Sequence, residues 1–213
     1  MLISFEGLDA SGKSTQLKLL ESHLKSIGKD SLCLREPGGI LLGEEIRNIL
    51  LHHQEEIHPT AELLLFFASR AELIERRIRP ALLRGEIVIL DRFYDSTIAY
   101  QGFGRGIDLK IIEQLISIVT QGLEPNHTFY LDISPEAAFQ RKTQLVESNQ
   151  FANQDRGNQL DRMERSGLEF FRKVQEGYHY VAKKFHHRVV TLNAEENIES
   201  LHKKIVSQLF PNI

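Results

Sequence analysis

Phe5-Glu6-Gly7-Leu8-Asp9-Ala10-Ser11-Gly12-Lys13-Ser14-Thr15 follows directly on the apolar stretch Leu2 to Phe5. The order places a glycine-framed GxxxxGK[ST] loop between a buried strand and a helix. Gly7 and Gly12 allow backbone angles that a Cβ resists, so successive N–H groups can turn inward on an anion. Lys13 supplies charge, the Ser14 hydroxyl can reach Mg²⁺, and the helix that starts here adds the positive end of its dipole. An ordinary glycine turn would need neither the strand before nor the helix after. Gly7, Leu8, Asp9, Ala10, Ser11, Gly12, Lys13, Ser14 and Thr15 are therefore read as a loop that binds the phosphates of a nucleotide.

Outward from this loop, strands and helices alternate. Short apolar runs at Leu2 to Phe5, Ser31 to Leu34, Ile87 to Leu90, Thr128 to Leu131 and Val189 to Leu192 have the character of buried parallel strands. Between them, Leu17, Leu20, Leu24 and Ile27 space one helical stripe. Leu63, Phe67, Ile74 and Ile78 space a second, and Ile111, Ile112, Leu115, Ile116 and Val119 a third, with Gly28, Gly85 and Gly122 as stop signals just beyond. The pattern predicts an α/β fold with a five-stranded parallel sheet covered on both faces, and ligands at the carboxyl ends of its strands. Gln144 to Gln159 departs from it, being polar, rich in Asn, Gln and Ser, and carrying Arg156. A mobile lid and a disordered surface loop both fit that composition.

The 213 residues, 41% of them hydrophobic, can bury a substantial core and read as a single domain over 1–213. A net charge of −3 gives no global attraction to nucleic acid or to an anionic membrane, so phosphate-binding charge must be concentrated locally. Cys33 is the only cysteine; it lies in an apolar run and reads as a buried, inert thiol in a reducing compartment. No segment approaches the length of a membrane span and no secretory leader pattern opens the chain, so a cytoplasmic protein is expected.

Further groups gather at the expected sheet edge. Asp91 and Arg92 emerge side by side after the third strand. The carboxylate can hold Mg²⁺ through its waters and the guanidinium can grip a second phosphate, although a surface ion pair has the same sequence. Ser96, Tyr100 and Gln101 follow, an aromatic edge and an amide suited to reading a base or sugar. Phe66 and Arg70 stand four apart on one helix face. Alone they read as core plus a solvated arginine; beside the other groups they could stack and hydrogen-bond a base. Arg35-Glu36-Pro37-Gly38-Gly39 makes a sharp turn after the second strand, with Glu44, Glu45 and Arg47 on the helix beyond. His52-His53 and His186-His187 are adjacent, not one helical turn apart, and read as solvated helix ends, not metal ligands.

Taken in order and spacing, Gly7 to Thr15, Arg35 to Gly39, Leu64 to Arg70, Asp91 to Gln101, Gly104 to Asp108 and Leu160 to Glu164 resemble the thymidylate kinases over the length of the chain. Val88 to Gln101 is the most specific of these segments. Ala10 after Asp9 is similar to the bacterial-type pattern, in which the catalytic arginine lies in a lid. The resemblance implies a three-layer P-loop kinase fold with a lid at about 144–160, a homodimer, and phosphorylation of dTMP to dTDP by ATP and Mg²⁺ in the synthesis of dTTP. It implies that Lys13 holds ATP phosphates, that Ser14 ligates Mg²⁺, and that Asp91 acts on the metal through water. Asp9 matches the acid at the 3′-hydroxyl, Arg92 the arginine at the acceptor phosphate and Arg70 the one at the thymine edge. Phe66 matches the residue stacked on the base, Ser96 and Gln101 base-facing positions, and Tyr100 the aromatic that crowds out a 2′-hydroxyl. Glu36 and Arg47 fall among the substrate-facing positions, the latter as a second phosphate contact. Arg156 matches the lid arginine, with Arg162 as the alternative. Ile40 stands where the pattern has threonine, and Asn193 where it has aspartate.

A monophosphate acceptor needs no general base, because its second ionisation lies near pH ~6. Cations and exclusion of water then carry the reaction. Another small nucleoside or nucleotide kinase on the same scaffold, or a nucleotide-binding regulator without turnover, would share the phosphate loop.

Overall fold

The computed structural model describes residues 1–150 and 162–211. β1 (Leu2–Gly7) leads into α1 (Lys13–Ser26), and β2 (Ser31–Arg35) into α2 (Leu41–His52) and α3 (Pro59–Leu73). A wide π-helical turn at Ile74–Ile78 joins α3 to α4 (Arg79–Leu83), where Pro80 has no N–H to give to the preceding turn. β3 (Ile87–Asp91) and the short α5 (Tyr94–Thr97) then run into a second π-helical stretch, Ile98–Gly104. α6 (Leu109–Thr120), β4 (His127–Asp132), α7 (Pro135–Gln150), α8 (Gly167–Lys184), β5 (Val189–Asn193) and α9 (Ile198–Leu209) follow.

The five strands form one parallel sheet in the order β2-β3-β1-β4-β5, at the five apolar runs. Alternation along each central strand divides the core in two. Ile3 and Phe5 of β1 join Ile87 and Ile89 of β3 in one cluster, while Leu2 joins Val88 and Leu90 in the other. The chain passes from β1 outward to β2, back to β3, then across to β4 and β5. The order reverses around β1, which is where the phosphate loop leaves the sheet. Register sets Asp91 beside Phe5 on one side and Arg35 on the other, and Gly7 beside Leu131. The chemically active ends of the strands therefore share one edge.

Three local expectations change. β2 is an edge strand and only Leu34 in it is buried, so Cys33 is half-buried; burial and then Glu21 still push its thiol up to about 12. In α6, Ile112 is buried but Ile111 is exposed, which narrows that stripe. Positions 144–150 continue α7 as helix, and the remainder of the expected lid, with Arg156, lies outside the described residues. The α3 stripe holds: Leu63, Phe67, Ile74 and Ile78 are all buried.

One contact governs what lies under the site. A Cβ on Gly177 of α8 would stand 2.7 Å from the Cα of Ala99. Glycine there lets α8 lie against the Ile98–Gly104 stretch closely enough to put Tyr178 beneath the end of β1. Among the described residues, no helix is long and apolar enough to cross a membrane.

Candidate active site

The phosphate loop takes the shape its glycines permit. Gly7 has φ +138°, and a Cβ there would meet the Leu131 carbonyl oxygen at 2.5 Å. Gly12, at φ +99°, stands at the N-cap of α1. Lys13 is buried and its Nζ donates to the Gly7 and Leu8 carbonyls at 3.1 and 2.8 Å. Burial, and then the neighbouring Arg92, bring its ammonium down to about 8 against the pull of Asp9 and Asp91. Ser14 Oγ donates to Asp91 Oδ2 at 3.2 Å. This hydroxyl and carboxylate, side by side at the mouth of the loop, form the hard-oxygen pair that suits Mg²⁺ with most of its waters retained.

Arg92 is held at every end. Its backbone is left-handed, φ 71°, and its N–H donates to the Phe5 carbonyl at 3.0 Å. Nη1 donates to the Gly7 carbonyl at 2.9 Å and to the Tyr178 hydroxyl at 2.8 Å; Nη2 donates to Asp9 Oδ1 at 2.7 Å and to the Tyr100 hydroxyl at 3.1 Å. Burial raises the Asp9 carboxyl, but Arg92 and then Lys13 outweigh it and bring the group down to about 2. Tyr178 in turn donates to Glu6 Oε2 at 3.0 Å, and Glu6 Oε1 accepts from the Phe93 N–H at 2.7 Å. Burial and the like charge of Asp95 push Glu6 up to about 8.

Two of the cavities around these groups share Arg92. The larger, about 1000 Å³, runs along the phosphate loop from Asp9 to Gln16 and takes in Asp91 and Arg141. The smaller, about 220 Å³, is lined by Phe66, Ser96, Tyr100, Gln101 and Met163 among others. Asp9, Glu36, Arg47 and Arg92 line both, so the cavities meet at this polar quartet. Arg47 Nη1 donates to the Pro37 carbonyl at 3.0 Å. Ser96 Oγ donates to the Phe93 carbonyl at 2.6 Å, and Gln101 Nε2 to Glu62 Oε1 at 2.8 Å.

Arg70 is not solvated and lines neither cavity. It is 1% exposed and donates to Glu36, to Thr97 Oγ1 at 3.0 Å and to the Phe93 carbonyl at 3.3 Å. It stands behind Glu36. The Glu36 Oε1 atom is buried and has no hydrogen-bond partner among the described residues, and burial raises this carboxyl against the pull of Arg70.

Four neighbours of the candidate site escaped the sequence reading: Glu6, Tyr178, Glu62 and Arg141. Glu62 is fully buried on α3 and gathers Gln101, Arg105 at 3.2 Å and Arg162 at 2.6 Å. The available signal was a lone acid next to Leu63 at the start of an apolar helical stripe. Arg162 Nε also donates to the Leu50 carbonyl at 2.8 Å. Arg141 Nη2 donates to the carbonyl of Ala194, beside Asn193, whose Oδ1 caps Glu195 N–H at 3.0 Å. Ile40, in the threonine position, precedes α2 without a side-chain cap and, half-buried, packs against the core. His52, His53, His186 and His187 are exposed.

Comparison with known proteins gives a consistent result. A family model described as "Thymidylate kinase" matches residues 5–205. The chain is 52% identical over 210 residues to the thymidylate kinase of Chlorobium phaeobacteroides, covering 98% of this chain and 94% of that one. It is 47% identical over 209 residues to that of Chlorobaculum tepidum, covering 98% and 96%. The solved structure of thymidylate kinase from Ehrlichia chaffeensis superposes with a TM-score of 0.76 at 34% identity, over 98% of each chain.

Proposed function

The chain belongs to the thymidylate kinase family, and from that premise we propose that it transfers the γ-phosphoryl group of ATP to dTMP, yielding dTDP for dTTP synthesis. The observation that carries this reading is the meeting of two cavities at Asp9, Glu36, Arg47 and Arg92. The larger cavity contains the phosphate loop and takes ATP. The smaller has an aromatic wall at Phe66 and Tyr100 and an amide at Gln101, and takes the thymine nucleotide with its phosphate toward Arg92.

Lys13 and the loop amides hold the donor phosphates. Ser14, and Asp91 through water, would hold Mg²⁺, which when bound neutralises phosphate oxygens and orients them for in-line transfer. Because the acceptor oxygen is already ionised near neutral pH, Asp91 serves as a positioner and no residue is required as a base. Arg92 and Arg47 offset the repulsion between two polyanions as they approach. Arg70, set behind Glu36, acts on the thymine side through that carboxylate. Arg156 keeps the lid role that the family resemblance implies; the commitment of Arg162 to Glu62 and to the Leu50 carbonyl favours Arg156 over it. The protein works as one domain, in the cytoplasm and as a homodimer.

The test is release of ADP in a coupled assay run against a panel of nucleoside monophosphates. dTMP is expected to give the highest kcat/KM. ADP release with a different monophosphate as the preferred acceptor, or none with dTMP, overturns the proposal.

A further inference from the structure

We infer that Glu6 and Tyr178 are positioning residues for Arg92: a buried acid side chain and a buried phenol that fix both the backbone and the guanidinium of the arginine at the junction of the two cavities. This rests on the reading of Arg92 as the acceptor-phosphate arginine.

Glu6 reaches Arg92 by two routes. Its Oε1 takes the N–H of Phe93, the peptide just after Arg92, at 2.7 Å, and its Oε2 takes the Tyr178 hydroxyl at 3.0 Å, which itself accepts from Arg92 Nη1 at 2.8 Å. A non-glycine residue at φ 71° persists only where its surroundings over-determine it, and Glu6 supplies that constraint on one side while the Phe5 carbonyl supplies it on the other. The exposures of the partners differ in a telling way. Glu6 is 0% and Tyr178 1% exposed, whereas the Asp9 side chain, which takes Nη2, is 44% exposed. Nη1 is therefore anchored on buried groups, while Nη2 divides between the buried Tyr100 hydroxyl at 3.1 Å and the half-exposed Asp9, so its bond to Asp9 is the one that can be exchanged for a phosphate oxygen. The Tyr178 ring stacks on Tyr130 with centroids 5.0 Å apart, so the hydroxyl position is set by packing and not by the arginine.

Tyr178→Phe removes the hydroxyl and keeps the stacked ring. Its kcat with dTMP is expected to fall by about 10- to 100-fold, the scale of a slightly misplaced catalytic group, with KM for ATP within about twofold of wild type. Glu6→Ala removes both oxygens; a loss of about tenfold is expected, as the Tyr178 hydroxyl and the Phe93 N–H lose their shared partner. In an Arg92→Ala background, Tyr178→Phe should cost nothing further, because residues acting through one group are not additive. A wild-type kcat in Tyr178→Phe, or the same fold-loss with and without Arg92, overturns the inference. A side-chain ¹⁵N spectrum of the Arg92 guanidinium gives a readout that needs no turnover: both variants should shift it, and an unmoved signal overturns the inference as well. That spectrum is readable in a protein that fails to phosphorylate dTMP, so the two readings fail separately.

Discussion

Arg70 Nε donates to Glu36 Oε2 at 2.7 Å with neither side chain more than 3% exposed. The arginine sits beneath the acid and aims it at the junction of the two cavities, held from behind by Thr97 and the Phe93 carbonyl. Removing one member of a buried pair leaves the other charged and unpaired, at a cost of about 3–5 kcal/mol. Arg70→Ala should lower the unfolding free energy by that amount in urea titrations. A loss below about 1 kcal/mol would show that the pair is not a support of the fold.

Truncating Arg92 should separate the two substrates. Arg92→Ala is expected to lower kcat by at least ~10², the size of a developing-charge contact, while ATP affinity stays near wild type. Equal losses in kcat and ATP affinity would assign the guanidinium to the donor side.

Lys13 is expected to set a pH limit on nucleotide binding. Its ammonium in the free protein titrates at about 8, against an ordinary 10.5, and a bound triphosphate raises it again. Binding then takes up a proton above about pH 8. ATP affinity should be level below that point and fall by up to ~tenfold per pH unit above it. Titration of a fluorescent ATP analogue across this range checks the slope, which Lys13→Met should abolish; a level curve in the wild type contradicts the assignment.

On the proposed reading, the thymine methyl group has only apolar contact to gain in the small cavity beside Phe66. One methyl is worth ~1–3 kcal/mol, or ~10–200-fold in kcat/KM. Competition between dTMP and dUMP should fall in that window, and a ratio near one would place the 5-position of the base outside the cavity.

The sheet and the phosphate loop were legible because their signals are local. Continuous apolar runs mark strands buried on both faces, and the loop's glycines and lysine lie within one short stretch. β2 was overestimated for a related reason: an edge strand carries the same apolar run as a central one, and only the strand order exposes it. Glu6 and Tyr178 were illegible because their bond joins residues 172 positions apart. Glu62 in a helical stripe gave no hint of its partners, since Arg105 and Arg162 reach it from distant segments. Arg70 was placed on the right helix but at the wrong depth, because spacing tells which side chains share a face and not which of them a neighbouring acid draws inward. The π-helical stretch at Ile98–Gly104 also has no propensity signature, yet it carries both Tyr100 and Gln101.

The absent side chain at Gly177 has a mechanical meaning. With backbone against backbone at Ala99, no compliant layer lies between α8 and the segment bearing Tyr100, so a shift of that helix cannot be absorbed where they touch. Tyr100 and Tyr178 would travel together, and the grip on Arg92 would tighten or slacken from both sides at once. α8 is thus placed to act as a lever on Arg92 through Tyr178, a residue that itself lines neither cavity.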